Sequence, residues 1–358
     1  MTDDKNIADL RGKIDQIDDS LLALINERAR KAMKVGNKKP GQKADIVYRP
    51  EREAQILQRL QQANSGPLES VVVERLFREI ISACRAIEAK PSIATLGPDG
   101  TFSELATRKQ FGAEINLELT SSIEEVFRLV EAEHCDIGVV PVENSAEGGI
   151  HLTLDRLLTT SLKICGEIDL RIKHCLIGSA ESASPIRGLA HQQALAQCRQ
   201  WLDVNLPSIE RVACASNSDA VRQILDDPTS VAIASEEAAE AYGLQVLHAD
   251  IEDQPGNTTR FLVLGRHTVQ ASGQDKTSLV MSAQERPGAL HTLLAPLSEH
   301  NINMTRVESR PSRTGLWEYM FFIDLEGHVQ DANVDSALSQ IKRNAAMFKI
   351  LGSYPRSV

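Results

Sequence analysis

The sequence predicts three domains in series: an all-α block, a larger α/β block and a small ferredoxin-like α+β block. Three observations carry this. An apolar seam at helical spacing runs through the first ninety residues. Strand and helix signals alternate through the middle, and a βαββαβ order closes the chain. The 358 residues exceed one ordinary core, since domains run to about 150 residues. Charge divides the same way: residues 1–90 carry +3, residues 91–268 carry −13 and residues 269–358 are neutral, within a total of −10. The expected domains span 1–90, 91–268 and 275–358.

In the first block Leu10, Ile14, Ile17, Leu21 and Leu24 recur at +4, +3, +4, +3, the pattern of one helix face. Nothing interrupts it until Gly36, and Pro40-Gly41 stops it, so a helix of about thirty residues is expected. A second helix starts near Pro50 and carries Ile56, Leu57 and Leu60; proline suits a first-turn position. A third covers Val71 to Glu88, after the turn cluster Asn64-Ser65-Gly66-Pro67.

The middle block opens with a strand at Ser92–Leu96 and a turn at Gly97-Pro98-Asp99-Gly100. Further strands are expected at Asp136–Val142, Leu170–Ile177 and Ser230–Ala234. Helices are expected at Ser103–Phe111, Ile123–Glu133, Ala190–Leu202, Asp219–Leu225 and Ser235–Tyr242. The alternation implies a mostly parallel sheet. Val269–Gln274 reads as a linker. The last block places strands at Ser278–Ser282, Met304–Ser309 and Trp317–Leu325, helices at Gly288–His300 and Val334–Met347, and a weak final strand near Phe348–Ile350.

Composition excludes several classes. It is 42% hydrophobic and 25% charged, as in globular proteins. No apolar run reaches the ~18 residues of a membrane span, and MTDDKN does not read as a signal peptide. The six cysteines are scattered without a CxxC pair, so buried thiols in a cytoplasmic protein are expected, with no metal site. Aromatics at 4% give no platform for nucleic-acid bases. No P-loop or dinucleotide fingerprint is present, and no cofactor is expected.

Cations interrupt the helical block where a coiled coil would be apolar. Arg28 continues the seam from Leu24, and Lys39 lies about 16 Å further along nearly the same face. Two such side chains can lean on one small anion between them. Arg11 is roughly 25 Å from Arg28 and could join only from an antiparallel helix of a second copy. Solvated surface cations are the alternative for each residue alone.

Arg11, Arg28, Lys39, the run Arg49-Pro50-Glu51-Arg52-Glu53 and the Arg75–Glu88 helix together resemble the all-helical class of chorismate mutase, an intertwined dimer. The resemblance implies rearrangement of chorismate to prephenate. Arg11 from the partner chain, Arg28 and Arg52 would grip carboxylates, Lys39 would serve a carboxylate and the ether oxygen, and Glu53 the ring hydroxyl. Three positions depart from the pattern. Arg49 stands where some relatives carry an acid, Cys84 where a serine can occur, and Glu88 where a glutamine often donates to the ether oxygen. An ionised carboxylate cannot donate, so Glu88 would need a proton for that role.

In the middle block, polar clusters end the expected strands: GPDGTFS with Thr101 and Ser103, PVENS with Glu143, Asn144 and Ser145, SNSD with Ser216 and Asn217, and NTTRF with Thr259 and Arg260. Each alone could be a cap or turn; together they suggest a cleft between two lobes. With the segment His191–Cys198 they resemble prephenate dehydratase over residues 93–266. That family has a two-lobed fold like a periplasmic binding protein and converts prephenate to phenylpyruvate, CO₂ and water. The resemblance makes Thr259 the essential hydroxyl. The other eight residues named are candidates for substrate contact, Arg260 either pairing a carboxylate or bracing the loop. His174 and His191 carry no catalytic expectation.

In the last block Gly288-Ala289-Leu290 and Glu308-Ser309-Arg310-Pro311 resemble the GAL and ESRP motifs of the amino-acid-binding ACT domain, implying L-phenylalanine as effector. The whole chain resembles the fused proteobacterial mutase–dehydratases, with chorismate and prephenate as substrates and a homodimer or larger homo-oligomer as the assembly. Two alternatives stay open: a dehydratase with a degenerate mutase site, and a non-catalytic sensor of a dicarboxylate.

Overall fold

The computed structural model describes residues 2–36, 48–179, 185–283, 286–311 and 319–357, with only the backbone at 2–5 and 36. The first block is three helices, α1 (Thr2–Gly36), α2 (Pro50–Ala63) and α3 (Ser70–Glu88). Pro50 opens α2 at a first-turn position, as expected. α1 packs on α3, yet its seam stays open: Ile7, Leu10, Ile14, Ile17, Leu21 and Leu24 are 47–62% exposed. An uncovered stripe of that length is a surface awaiting a partner. The expected stop at Pro40-Gly41 and Lys39 lie outside the described residues.

The middle block forms two lobes. The first holds β1 (Ser92–Leu96), α4 (Phe102–Phe111), β2 (Asn116–Thr120), α5 (Ile123–Glu131), β3 (Ile137–Asn144), β4 (Gly148–Gly149), α6 (His151–Thr159) and β5 (Lys163–Arg171). The second holds β6 (Cys175–Gly178), β7 (Arg187–His191), α7 (Gln192–Gln197), α8 (Arg199–Asn205), β8 (Glu210–Cys214), α9 (Asn217–Gln223), β9 (Ser230–Ala234), α10 (Glu236–Tyr242) and β10 (Gln245–His248). β11 (Thr258–Gly265) then returns to the first. The sheet orders are β2-β1-β3-β11-β5 and β10-β6-β9-β7-β8.

Both sheets are mixed rather than mostly parallel. β1 pairs in parallel with β2 and β3, and β7 with β8 and β9. β11 runs antiparallel to both its neighbours, as does β6. The chain that crosses between lobes must come back, and the returning strand enters against the others. The apolar run Leu170–Ile177 is therefore not one strand: it breaks at residues 172–174, where the chain passes from lobe to lobe. Ala190 belongs to β7, not to a helix, and the expected long helix after it divides into α7 and α8.

The last block is β12 (Asp275–Ser282), α11 (Ala289–Glu299), β13 (Met304–Pro311), β14 (Tyr319–Glu326), α12 (Ala332–Asn344) and β15 (Met347–Pro355), with sheet order β13-β14-β12-β15. The final strand is nine residues long and pairs along β12 with one irregularity at Leu351, so it is not weak. One sheet face carries α11 and α12 over Leu279, Met281, Ile323 and Leu325. The other face, with Val280, Met320, Phe322, Leu351 and Tyr354, joins one core with Val140, Val142, Leu154 and Leu262 of the first lobe. Gly352 permits this docking: a Cβ there would lie 2.1 Å from the Ile164 carbonyl oxygen. The expected linker is pinned rather than loose, since Val269 is buried and accepts from His328 Nε2, and Ser272 bonds Asp275. No described helix is long and apolar enough to cross a membrane.

Candidate active site

A cleft of about 400 Å³ lies between the lobes. The first lobe contributes Thr101, Ser103, Asn144, Thr259 and Phe261; the second contributes His191, Gln193, Ser216, Asn217, Ser218 and Ser235. Strand alternation sets the wall: Thr259 and Phe261, two apart on β11, face one side, and Arg260 the other.

Thr259 ends a chain of buried amides. Asn144 Nδ2 donates to Thr259 Oγ1 at 2.9 Å and to Asn257 Oδ1 at 2.9 Å, while Asn144 Oδ1 accepts from Ala146 N. Asn257 Nδ2 donates to Gln197 Oε1 at 3.1 Å, and His174 Nε2 lies 2.8 Å from the same oxygen. That oxygen can only accept, so His174 carries its proton on Nε2. Burial lowers the pKa of His174, outweighing Gln197 and Glu252, and keeps the ring neutral at pH 7. The direction of these bonds matters: Thr259 Oγ1 receives a hydrogen bond from Asn144, so its own proton is free to point into the cleft. A hydroxyl polarised in this way is a better donor than one in water.

Most other hydroxyls here are already committed. Thr101 caps α4 by accepting from Glu104 N and donates to Leu96 O. Ser216 caps α9 and Ser235 caps α10. Asn217 Oδ1 accepts from His191 N, tying α9 to the end of β7. Ser218 Oγ is buried at the cleft without a hydrogen-bond partner among the described residues, which leaves it available to a ligand.

Three candidates do not line the cleft. Ser145 Oγ accepts from Thr258 N and lies 3.3 Å from Asn257 Oδ1, on the wall of a separate cavity. Glu143 pairs with Arg306 at 2.9 Å. Arg260 points away: Nε donates to Glu167, Nη1 to Asp324 and Nη2 to the Tyr354 hydroxyl. It does not grip a substrate carboxylate from this position. The alternation that aims Thr259 inward aims Arg260 outward.

In the helical block, Arg11 and Arg52 are exposed. Arg28 is half-buried, with Nη1 3.5 Å from Ile80 O. Arg49 precedes α2, half-buried, and its Nε has no hydrogen-bond partner among the described residues. Cys84 is buried in α3 and Glu88 is exposed at its end. Glu53 departs from the expected role. It faces the middle block with Pro50, Ala54 and Leu57, and its carboxylate accepts from Arg85 at 2.6 Å. Arg85 in turn donates to Phe111 O across the boundary. Burial raises the Glu53 pKa despite Arg85. Among the described residues of the single chain, Arg11, Arg28 and Arg52 share no pocket.

In the last block Gly288 caps α11 with φ +77°, ahead of Ala289 and Leu290. On β13, Glu308 pairs with Arg306 and its carboxylate lies over Gly149, while Arg310 donates to His151 O and pairs with Asp155 at 3.2 Å. Ser309 between them is exposed. All six cysteines are free and five are buried; burial pushes the Cys165 thiol up to about 12. Among the described residues no His, Cys, Asp and Glu cluster could hold a metal.

Family models match three segments: chorismate mutase type II over residues 10–89, prephenate dehydratase over 93–269 and the ACT domain over 277–343. The bifunctional chorismate mutase/prephenate dehydratase of Pseudomonas aeruginosa is 47% identical, covering 100% of each chain. That of Neisseria gonorrhoeae is 48% identical over 97% of this chain and 96% of its own. Among solved structures, prephenate dehydratase from Arthrobacter aurescens in complex with L-Phe matches with a TM-score of 0.69 and 34% identity. It covers 74% of this chain and 90% of that one. With both catalytic segments and the regulatory one matched along its length, the chain belongs to the family of bifunctional chorismate mutase/prephenate dehydratases.

Proposed function

We propose that the interlobe cleft is the dehydratase centre, with Thr259 as the hydroxyl that donates to the departing ring oxygen. The Asn144-to-Thr259 hydrogen bond carries this reading, because it makes Thr259 Oγ1 an acceptor on that side and leaves its proton to be donated elsewhere. As the carboxylate leaves as CO₂, its bonding pair moves into the ring and expels the ring oxygen, which takes a proton and departs as water. Aromatisation drives the step; the site supplies the proton and holds the substrate. Ser218, Ser103 and the cleft-facing backbone hold the carboxylates in this scheme, while Asn257, Gln197 and His174 keep Asn144 in register.

The mutase site is completed by a second copy. The exposed seam of α1 supports an intertwined homodimer in which each long helix lies against its counterpart, bringing Arg11 of one chain toward Arg28, Arg49 and Arg52 of the other, beside Cys84 and Glu88. Rearrangement of chorismate needs no nucleophile; cations fold the substrate and stabilise charge on the ether oxygen. The chain thus converts chorismate to prephenate and prephenate to phenylpyruvate, with L-phenylalanine acting at the ACT domain through Gly288, Ala289, Leu290, Glu308, Ser309 and Arg310. A cytoplasmic setting accords with six free thiols.

Feeding chorismate and following both products tests the scheme. Wild type yields phenylpyruvate, Thr259→Ala accumulates prephenate, and Arg28→Ala leaves chorismate unconsumed. Phenylpyruvate formation by Thr259→Ala at the wild-type rate would remove Thr259 from the mechanism.

A further inference from the structure

Thr259 and Asn144 sit opposite one another in the β11–β3 ladder, and the next pair along is Arg260 and Glu143. The first pair faces the cleft. The second faces the ACT sheet; among the described residues, and apart from each other, its two members pair with one residue of Thr259's own domain, Glu167, and otherwise with the last domain. Arg260 holds Asp324 of β14 and Tyr354 of β15, along with Glu167 of β5. Ser278 of β12 closes the ring through Asp324 and the Tyr354 hydroxyl, at 2.5 and 2.6 Å. Lys276 of β12 pairs with Glu167 at 2.6 Å, and Arg306 of β13 with Glu143 at 2.9 Å. Asp324, Glu167 and Tyr354 are buried, and Arg260 nearly so. Burial weakens the Arg260 charge less than its partners strengthen it, so the guanidinium stays charged throughout.

A buried charge with fixed partners tolerates little misplacement, because losing one partner leaves another uncompensated. If the ACT sheet shifts against the first lobe, Asp324, Tyr354 and Lys276 move together. Arg260 must follow, and it shares a backbone with Thr259. Glu143 is bound to the same domain through Arg306 and shares a backbone with Asn144. Both members of the catalytic pair are therefore tethered, one residue away, to the regulatory domain.

We infer that Arg260 and Glu143 are positioning residues that transmit the placement of the ACT sheet to Thr259 and Asn144, and that this cluster is the route by which the effector reaches the dehydratase. The inference rests on the reading that phenylalanine acts at the ACT domain. It differs from a substrate-binding role for Arg260, which would not require the ACT-side residues.

The test uses the full-length enzyme with Asp324→Asn and Lys276→Gln, neither in the cleft nor in the effector motifs. Folding is checked by thermal unfolding, phenylalanine binding by calorimetry, and dehydratase kcat and KM with and without phenylalanine. Couplings between sites commonly amount to about 5–150-fold. The expected result is phenylalanine bound with wild-type affinity while the factor of inhibition falls about fivefold or more, and kcat changes more than KM. An unchanged inhibition factor in both variants overturns the inference. So does loss of phenylalanine binding in both, which would put the cluster inside the effector site. Should one variant fail to fold, the other decides. Should wild type itself show no inhibition, the feedback reading falls, and the inference then stands or falls on whether kcat without effector drops in the variants.

Discussion

Replacing Thr259 with valine removes one hydroxyl and almost nothing else. The side chain keeps its branching, and Thr259 is only 9% exposed, so packing is retained. The lost bond is the one received from Asn144 at 2.9 Å. Asn144 Nδ2 keeps its other acceptor, Asn257 Oδ1, and is not orphaned. The stability cost is therefore that of one ordinary hydrogen bond, about 1 kcal/mol. For a unit of this size that lowers Tm by about 2–4 °C. Catalysis should respond on a different scale, since a positioned proton donor contributes about 10²–10⁴-fold, or roughly 3–5 kcal/mol of barrier. Steady-state conversion of prephenate to phenylpyruvate, beside a thermal melt of the same sample, separates the two effects. Chorismate consumption should be untouched. A Thr259→Val enzyme that keeps kcat within about threefold of wild type would refute the proton-donor argument, and a melt collapsing by tens of degrees would mean that the hydroxyl is structural.

Three further outcomes follow from the geometry. Ile14→Glu with Leu21→Glu places four charges in a symmetric seam; full burial of a large apolar side chain is worth about 1.5–3 kcal/mol and these are already half covered, so roughly 3–6 kcal/mol of association is lost. Sedimentation should find monomers, with mutase activity gone and dehydratase activity kept. His174 is held neutral by burial, its folded pKa below the ordinary histidine value of 6.5. The unfolded chain therefore binds the extra proton first, so stability is full above about pH 6.5 and falls as pH drops toward the depressed folded value. Melts of wild type and His174→Gln between pH 5 and 7.5 should converge on the acid side. Gly352→Ala sets a Cβ 2.1 Å from Ile164 O and should loosen ACT docking at a cost of about 1–3 kcal/mol, seen as earlier proteolysis between the dehydratase and ACT blocks.

What the sequence disclosed was local, and what it withheld was relational. Helix starts at Pro50, Thr101 and Ser216 follow from one residue's chemistry and its neighbours. The break at residues 172–174 does not, because apolar residues continue on both sides and only the crossing between lobes ends the strand. Thr259 was visible from its motif, yet the opposite orientation of Arg260 was legible too, from the two-residue period alone, had the cleft face been assigned first. Pro50, Ala54 and Leu57 likewise marked the buried face of α2 on which Glu53 falls. Gln197 and His174 gave no such signal, because their importance depends on Asn257 and Asn144, which lie far away in the chain.

The alternation on β11 also limits how this strand can change in length. A single inserted or deleted residue within Thr258–Gly265 would turn the threonine toward the ACT sheet and the arginine into the cleft, exchanging the two roles in one step. Point substitutions can be tested one at a time, but indels could be accommodated only in pairs or beside a bulge such as the one between Arg260 and Phe261. Thus the assignment of Thr259 to the cleft face and Arg260 to the other is fixed by the pleat, and lineages that diverge in the surrounding loops are expected to keep this strand's residue count.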